Sequence, residues 1–260
     1  MTVSKPVLWH IEISHYNEKA RWALDYKGVE HERRAPTPGA HMVVALWLTR
    51  GRHKTFPVLQ LDGSAIGDST AIVAALEDRF PEPHLYPEDP DERRRALALE
   101  DFFDEELGPH ARLLVFHYAT RDPAIVERFT RDLLPSRLRD SSAVRAGAAR
   151  FFSTFTGLRY GVKSEQAADL AKEKVVAALD RLESELGGND YLVGDRFTVA
   201  DLTAAALFYP IVQPSEGPSV PDSPEGVEQF RAPLQDRPGY RWVEETFRRH
   251  RARAPQPVAA

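Results

Sequence analysis

The sequence predicts an α/β domain followed by an all-helical bundle, and three observations carry that reading. Residues 1–80 alternate short apolar runs with helical patterns. Between Pro81 and Asp91, the prolines Pro81, Pro83, Pro87 and Pro90 sit among acidic residues, the composition of a stiff linker. Beyond it strand signals vanish and helical periodicity dominates. The expected divisions are residues 1–80, a linker at 81–92, a helical domain at 93–253 and a tail at 254–260.

Taken in order, Val7-Leu8-Trp9-His10-Ile11-Glu12-Ile13 carries Val, Trp, Ile and Ile at odd positions and predicts a first strand. Ala20, Ala23 and Leu24 fall at helical spacing between Glu18 and Lys27, with Gly28 as the stop. His31 to Arg34 is a weaker strand. After Pro36, Pro38 and Gly39, the residues Met42, Val43, Leu46 and Trp47 suit a short amphipathic helix ending near Gly51. Phe56 to Leu61 resumes strand character, and Asp62-Gly63 predicts a tight hairpin into Ala65-Ile66. Ser69 is the expected cap of a helix whose Ile72, Ala75 and Leu76 form one apolar face. The order is β-α-β-α-β-β-α.

In the second half the clearest helix joins Ala168, Ala171, Val175, Ala178, Leu179, Leu182 and Leu186, before Gly187-Gly188. Gln213 to Pro238 holds six prolines and predicts an irregular excursion. Tyr240 to Arg253 reads as a last helix, with Arg248, Arg249, Arg251 and Arg253 on a solvated face.

Composition narrows the function. The chain has 260 residues, 39 acidic and 34 basic, so a net charge of -5 gives nucleic-acid binding no support. With zero cysteines there is no disulfide, thiolate metal site or protein dithiol, and any thiol chemistry must come from a bound ligand. No apolar run approaches the roughly 18 residues of a membrane-spanning helix. The N-terminus also lacks a secretory pattern, so a cytoplasmic, membrane-free protein is expected. His10, Glu12 and Ser14 share a strand face with His15 following, but zinc needs three or four converging ligands. A buried His10–Glu12 hydrogen bond explains that spacing, and no metal is expected.

Four segments carry a resemblance. Asp190 to Asp201 ends in Thr198-Val199-Ala200-Asp201, a capping box with Phe197 and Leu202 as its hydrophobic staple. Ser14-His15-Tyr16-Asn17-Glu18-Lys19-Ala20-Arg21-Trp22-Ala23-Leu24 places a serine ahead of a helix, and His53-Lys54-Thr55-Phe56-Pro57-Val58-Leu59 puts a proline in a strand-like run. Gly67-Asp68-Ser69-Thr70-Ala71-Ile72 opens the third helix. In order and at family-like spacing, these resemble the cytosolic glutathione S-transferases. The look is serine-type, nearest to tau, omega and zeta members. His15 in place of the usual proline, Asn17 in place of serine and Asp68 in place of glutamate or glutamine are departures. The resemblance implies a thioredoxin-like first domain, a helical second domain, a homodimer and glutathione as co-substrate.

Ser14 closes an apolar strand before a helix, so its hydroxyl is expected at the carboxyl edge of a sheet, where ligands collect. A thiol with a pKa of about 8.5 needs roughly 2.7 kcal/mol to ionise two units lower. One hydroxyl bond to a charged acceptor gives roughly 1.5–3 kcal/mol and a helix terminus about 0.3–1, so the two suffice. Ser14 is then the thiolate donor, with Tyr16 and Asn17 as rivals at the same turn. Read without the family, Ser14 is a simple N-cap.

The resemblance further implies a cis Phe56-Pro57 bond with the Phe56 amide and carbonyl pairing the ligand backbone. It gives Lys54 to the glycyl carboxylate and Asp68 and Ser69 to the γ-glutamyl end. A wall of Phe102, Phe103, His110, Phe116 and Tyr118 is expected around a hydrophobic electrophile, although most of these aromatics also suit a core. Residues 151–155 and the stretch near Val220 are candidate lids. The expected activity is attack of glutathione sulfur on that electrophile. The alternatives are a non-catalytic ligand- or protein-binding member, or a glutathione-dependent isomerase or lyase.

Overall fold

The computed structural model describes residues 5–36, 40–134, 136–218 and 223–251. The N-terminal domain is a four-stranded mixed sheet, β1 Val7–Trp9, β2 Glu32–Arg34, β3 Val58–Leu61 and β4 Ser64–Gly67, in the order β2-β1-β3-β4. β1 is parallel to β2 and antiparallel to β3, and β3 pairs antiparallel with β4. The turn at Asp62 (φ 47°) and Gly63 (φ 79°) is left-handed at both residues, the conformation that an Asp-Gly hairpin demands.

Alternation along the strands divides the core. Leu8, Leu59 and Leu61 join Ala20, Leu24, Ile72 and Leu76 of helices α1 His15–Tyr26 and α3 Ser69–Arg79. On the other face Val58 packs with Phe56, Trp9 and Ala45, the last from α2 His41–Leu48.

Two expectations shift here. β1 stops at Trp9 rather than Ile13, because the backbone beyond it serves side chains: Ile11 N–H donates to Asn17, and the Glu12 carbonyl accepts from Arg21. α1 correspondingly starts at His15 rather than Glu18.

The helical domain comprises α4 Pro90–Phe102, α5 Gly108–Ala119, α6 Pro123–Leu133, α7 Ser142–Tyr160, α8 Glu165–Leu186, α9 Val199–Val212, α10 Glu225–Arg231 and α11 Pro238–Thr246. Asp89 caps α4 through the Asp91 and Glu92 amides, so the connection ends one turn earlier than the sequence implies. That connection is pinned: Lys27 Nζ donates to the carbonyls of Phe80, Pro81 and Pro83, while the Glu77 carboxylate accepts from the Leu85 and Tyr86 amides.

Every residue of α9 is buried, including Pro210 inside it. It is apolar nearly all round, as an internal helix must be, and packs on α1, α4, α5 and α11. The Thr198–Asp201 capping box forms, and the Asp201 carboxylate also accepts from the Leu192 amide at 2.8 Å.

Three more expectations are corrected. Residues 151–155 belong to α7 and form no loop. The proline-rich stretch contains α10, with Pro224 as its N-cap and Pro233 in the turn after it, so the prolines punctuate the helix without interrupting it. Val220, Arg253 and residues 254–260 lie outside the described residues.

Arg251 is not solvated. It sits in a π-helical turn, Phe247–Arg251, and donates to Glu18 Oε1 at 2.6 Å and Asp25 Oδ2 at 2.7 Å with only 6% of its surface exposed. Arg248 and Arg249 pair with Glu245. Among the described residues no helix is long and apolar enough to cross a membrane.

Candidate thiol-binding site

The first strand–helix turn is built on Asn17. Its Oδ1 accepts from the Ile11 amide at 3.1 Å, and its Nδ2 donates to the Phe56 carbonyl at 3.2 Å and to Ser14 Oγ at 2.7 Å. Two backbone groups of opposite polarity therefore fix which end of the amide is which. Ser14 Oγ is then an acceptor from Asn17, and its own proton is left for another partner. Ser14 stands at the N-cap of α1 with extended backbone, φ -85° and ψ 123°, yet its side chain makes no capping bond. The simple-cap reading does not hold.

The rivals at this turn have no such proton. Both amide hydrogens of Asn17 are engaged, and the Tyr16 hydroxyl donates to the Asp104 carbonyl at 2.8 Å, toward the helical domain. Burial pushes the Tyr16 phenol up, well above its ordinary value.

His15 is buried, and its Nε2–H donates to the Gly108 carbonyl at 2.9 Å. Burial first, and then the nearby charge of Arg112, lower it to about 3, so it stays neutral. His10 is also lowered to about 3, by burial and then by Arg21. Its Nδ1 accepts from Arg21 at 2.9 Å, whereas Glu12 is 3.7 Å away and exposed, so the expected His10–Glu12 hydrogen bond is replaced by an arginine contact. Among the described residues no group of three or more His, Cys, Asp or Glu converges as metal ligands would.

The Phe56-Pro57 bond is cis, and both residues are buried. Among the described residues the Phe56 amide has no protein acceptor, so its N–H is available at the loop facing Ser14. Lys54 is exposed and makes no ion pair among the described residues. At α3 the cap is Asp68 rather than Ser69: the Asp68 carboxylate accepts from the Thr70 and Ala71 amides at 3.0 and 3.2 Å. Asp68 holds φ at 79°, a conformation costly for a residue with a side chain and of the kind that clusters at ligand sites. Ser69 is buried as the first helical residue, and its hydroxyl has no protein partner among the described residues.

The expected aromatic wall divides. Phe103 has no exposed surface and packs on Phe208 and Phe102, so it is a core residue and lines no cleft. Phe116 is half-buried and meets Phe152 and Tyr160 of α7, with ring centroids 6.3 and 5.6 Å away. His110 is half-buried and hydrogen-bonds the Glu106 carbonyl.

Sequence reasoning missed two charged residues. Lys19, fully buried in α1, donates to Thr70 Oγ1 and to Asp104, and pairs with Glu100 at 2.8 Å. Arg112 stands over the Tyr16 ring. Lys19 and Arg21, alternating with the apolar Ala20, Trp22 and Ala23, were the available signal for buried ion pairs at this helix.

A βαβαββα unit whose proline loop faces a serine at the first strand–helix turn, joined to a helical bundle, defines a two-domain protein of the thioredoxin-like class. Family models match twice: Glutathione S-transferase, N-terminal domain, over residues 8–84, and Glutathione S-transferase, C-terminal domain, over residues 140–232. A maleylacetoacetate isomerase of Rattus norvegicus is 31% identical over 118 residues, 44% of this chain and 55% of that protein. A probable glutathione S-transferase of Nicotiana tabacum is 26% identical over 196 residues, 75% of this chain and 65% of that one. The chain thus spans less than two thirds of the length of either relative.

Two solved structures share the fold. A beta-etherase from Sphingobium sp. strain SYK-6 superposes with a TM-score of 0.59 at 20% identity, covering 93% of this chain and 99% of that one. A theta class glutathione S-transferase from Xanthomonas axonopodis pv. citri, with glutathione bound, gives 0.57 at 21%, covering 92% and 96%. The chain belongs to the glutathione S-transferase family.

Proposed function

We propose that the chain binds glutathione as its thiolate, with Ser14 donating to sulfur, and transfers that sulfur to a hydrophobic electrophile as a homodimer. The observation that carries this is Asn17 Nδ2 donating to Ser14 Oγ, which turns the serine proton away from the protein. A hydroxyl held this way stabilises a thiolate more than a thiol, which lowers the sulfur pKa toward neutrality. The unpartnered Phe56 amide suits the carbonyl of the cysteinyl residue, in the manner of an added strand. Asp68 suits the γ-glutamyl ammonium, the Ser69 hydroxyl its carboxylate, and Lys54 the glycyl carboxylate. The thiolate then forms a carbon–sulfur bond to the electrophile while the leaving group departs with its electron pair.

A second reading is supported by the maleylacetoacetate isomerase relatives: the same thiolate adds to an unsaturated substrate and leaves after rotation, with no net consumption of glutathione.

Ser14→Ala tests the first reading. Conjugation of chlorodinitrobenzene should fall about ten- to hundredfold in kcat/KM, the worth of one hydrogen bond to a charged acceptor. The ultraviolet absorbance of bound thiolate should titrate at correspondingly higher pH. Unchanged turnover removes Ser14 from the chemistry. A wild type that binds glutathione and conjugates nothing is a binding member of the family.

A further inference from the structure

Among the described residues, helix α5 carries a cation, Arg112, that forms no ion pair. Arg21, Arg33, Arg121 and Arg251 each reach a carboxylate. No nitrogen of Arg112 donates to a protein acceptor among the described residues, and its Nε is buried with no partner. Its guanidinium carbon lies 5.7 Å from the centroid of the Tyr16 ring and 4.7 Å from that of Tyr160. Two tyrosines on different helices thus hold one charged plane, and Tyr16 is two residues from Ser14. One turn along the same face of α5, Phe116 meets Phe152 and Tyr160.

We infer that Arg112 is the anion-recognising residue of the second-substrate pocket, selecting electrophiles that join an aromatic or aliphatic body to a carboxylate. This rests on the glutathione reading above. Leaving a partly desolvated guanidinium unpaired is unfavourable, and a ligand carboxylate removes that penalty with a bidentate contact. The aromatic faces hold the planar fork in one orientation, which a lysine would not match. Beside it the Phe116 and Phe152 rings offer apolar surface for the rest of the substrate. The alternative, that Arg112 only braces the two tyrosines, predicts no preference for charge.

Calorimetric titration of the full chain with S-benzylglutathione and S-(para-carboxybenzyl)glutathione decides between them. The wild type should bind the carboxylated ligand at least about tenfold tighter, with the preference shrinking as salt rises. In Arg112→Gln the ratio of the two affinities should fall to near one, and in Arg112→Lys it should be intermediate. Equal affinities in the wild type, or a preference that survives Arg112→Gln, overturn the inference while leaving glutathione binding intact. If the wild type binds neither ligand, the glutathione reading falls and this inference falls with it.

Discussion

One amide governs the turn between β1 and α1, and reversing its polarity is the sharpest single-residue test of the site. In Asn17→Asp the group facing Ser14 becomes an acceptor, so the serine proton points to the protein instead of the ligand. The Phe56 carbonyl meanwhile meets a carboxylate oxygen. The pH–rate profile should move up by about one to two units, because the bound thiol loses its donor. An unmoved profile would mean that sulfur is ionised elsewhere.

The neighbouring histidines set an acid limit. His15 and His10 sit near 3 in the fold and at 6.5 when unfolded. As pH falls below 6.5 the unfolded chain takes up protons that the native state refuses, so their stabilisation, complete above that value, is lost on acidification. His15→Gln can keep a donor to Gly108 without titrating. Between pH 6.5 and roughly 4 its stability should decline less steeply than the wild type's by about 1 kcal/mol per pH unit, read by urea unfolding at stepped pH. The place of Ser14 just ahead of α1 was legible in the sequence, whereas its expected donor role rests on the family resemblance and not on position or residue type. Which hydrogens are already engaged at Asn17 and Tyr16 depends on Phe56 and Asp104, far away in sequence, and no local pattern encodes that.

At the scale of elements, α9 depends on its first turn. The Asp201 carboxylate accepts from the Leu192 amide, the Thr198 amide and the Thr198 hydroxyl, each at 2.8 Å, with no exposed surface. Burial nevertheless pushes its pKa up to about 6. Between 3.8 and that value the native state holds the extra proton, so this residue favours the fold most at the acid end, opposite in sign to the histidines. Asp201→Ala orphans buried donors and should lower stability at neutral pH by about 2–4 kcal/mol, seen as an earlier urea midpoint. The capping box and the periodic α8 were legible, since both are written within a few turns of chain. β1 was overread because apolar alternation continues past Trp9, where Arg21 and Asn17 claim the backbone from outside the strand. α10 was missed because its seven residues are too few for periodicity to outweigh the flanking prolines.

Across the whole molecule, buried charge joins the two domains. Lys19, Thr70, Glu100 and Asp104 link α1, α3 and the start of the helical domain, while Arg251 reaches back to Glu18 and Asp25. Removing one member of such a pair leaves its partners charged and under-solvated. Arg251→Met should therefore lower stability by about 3 kcal/mol, visible as a drop in thermal midpoint, with little change in secondary structure by circular dichroism. The two-domain plan was readable from proline density and the change of periodicity. These couplings were not, because an arginine in a run of arginines looks the same in sequence whether it meets water or a buried acid.

Glu18 and Asp25 are separated from Arg251 by 233 and 226 positions. Within the first domain those acids already meet Arg21 and Arg33, so the helix that begins beside Ser14 has local partners before the chain leading to Arg251 is synthesised. Arg251 therefore adds a second cation to each acid only once the helical domain that carries it has been made.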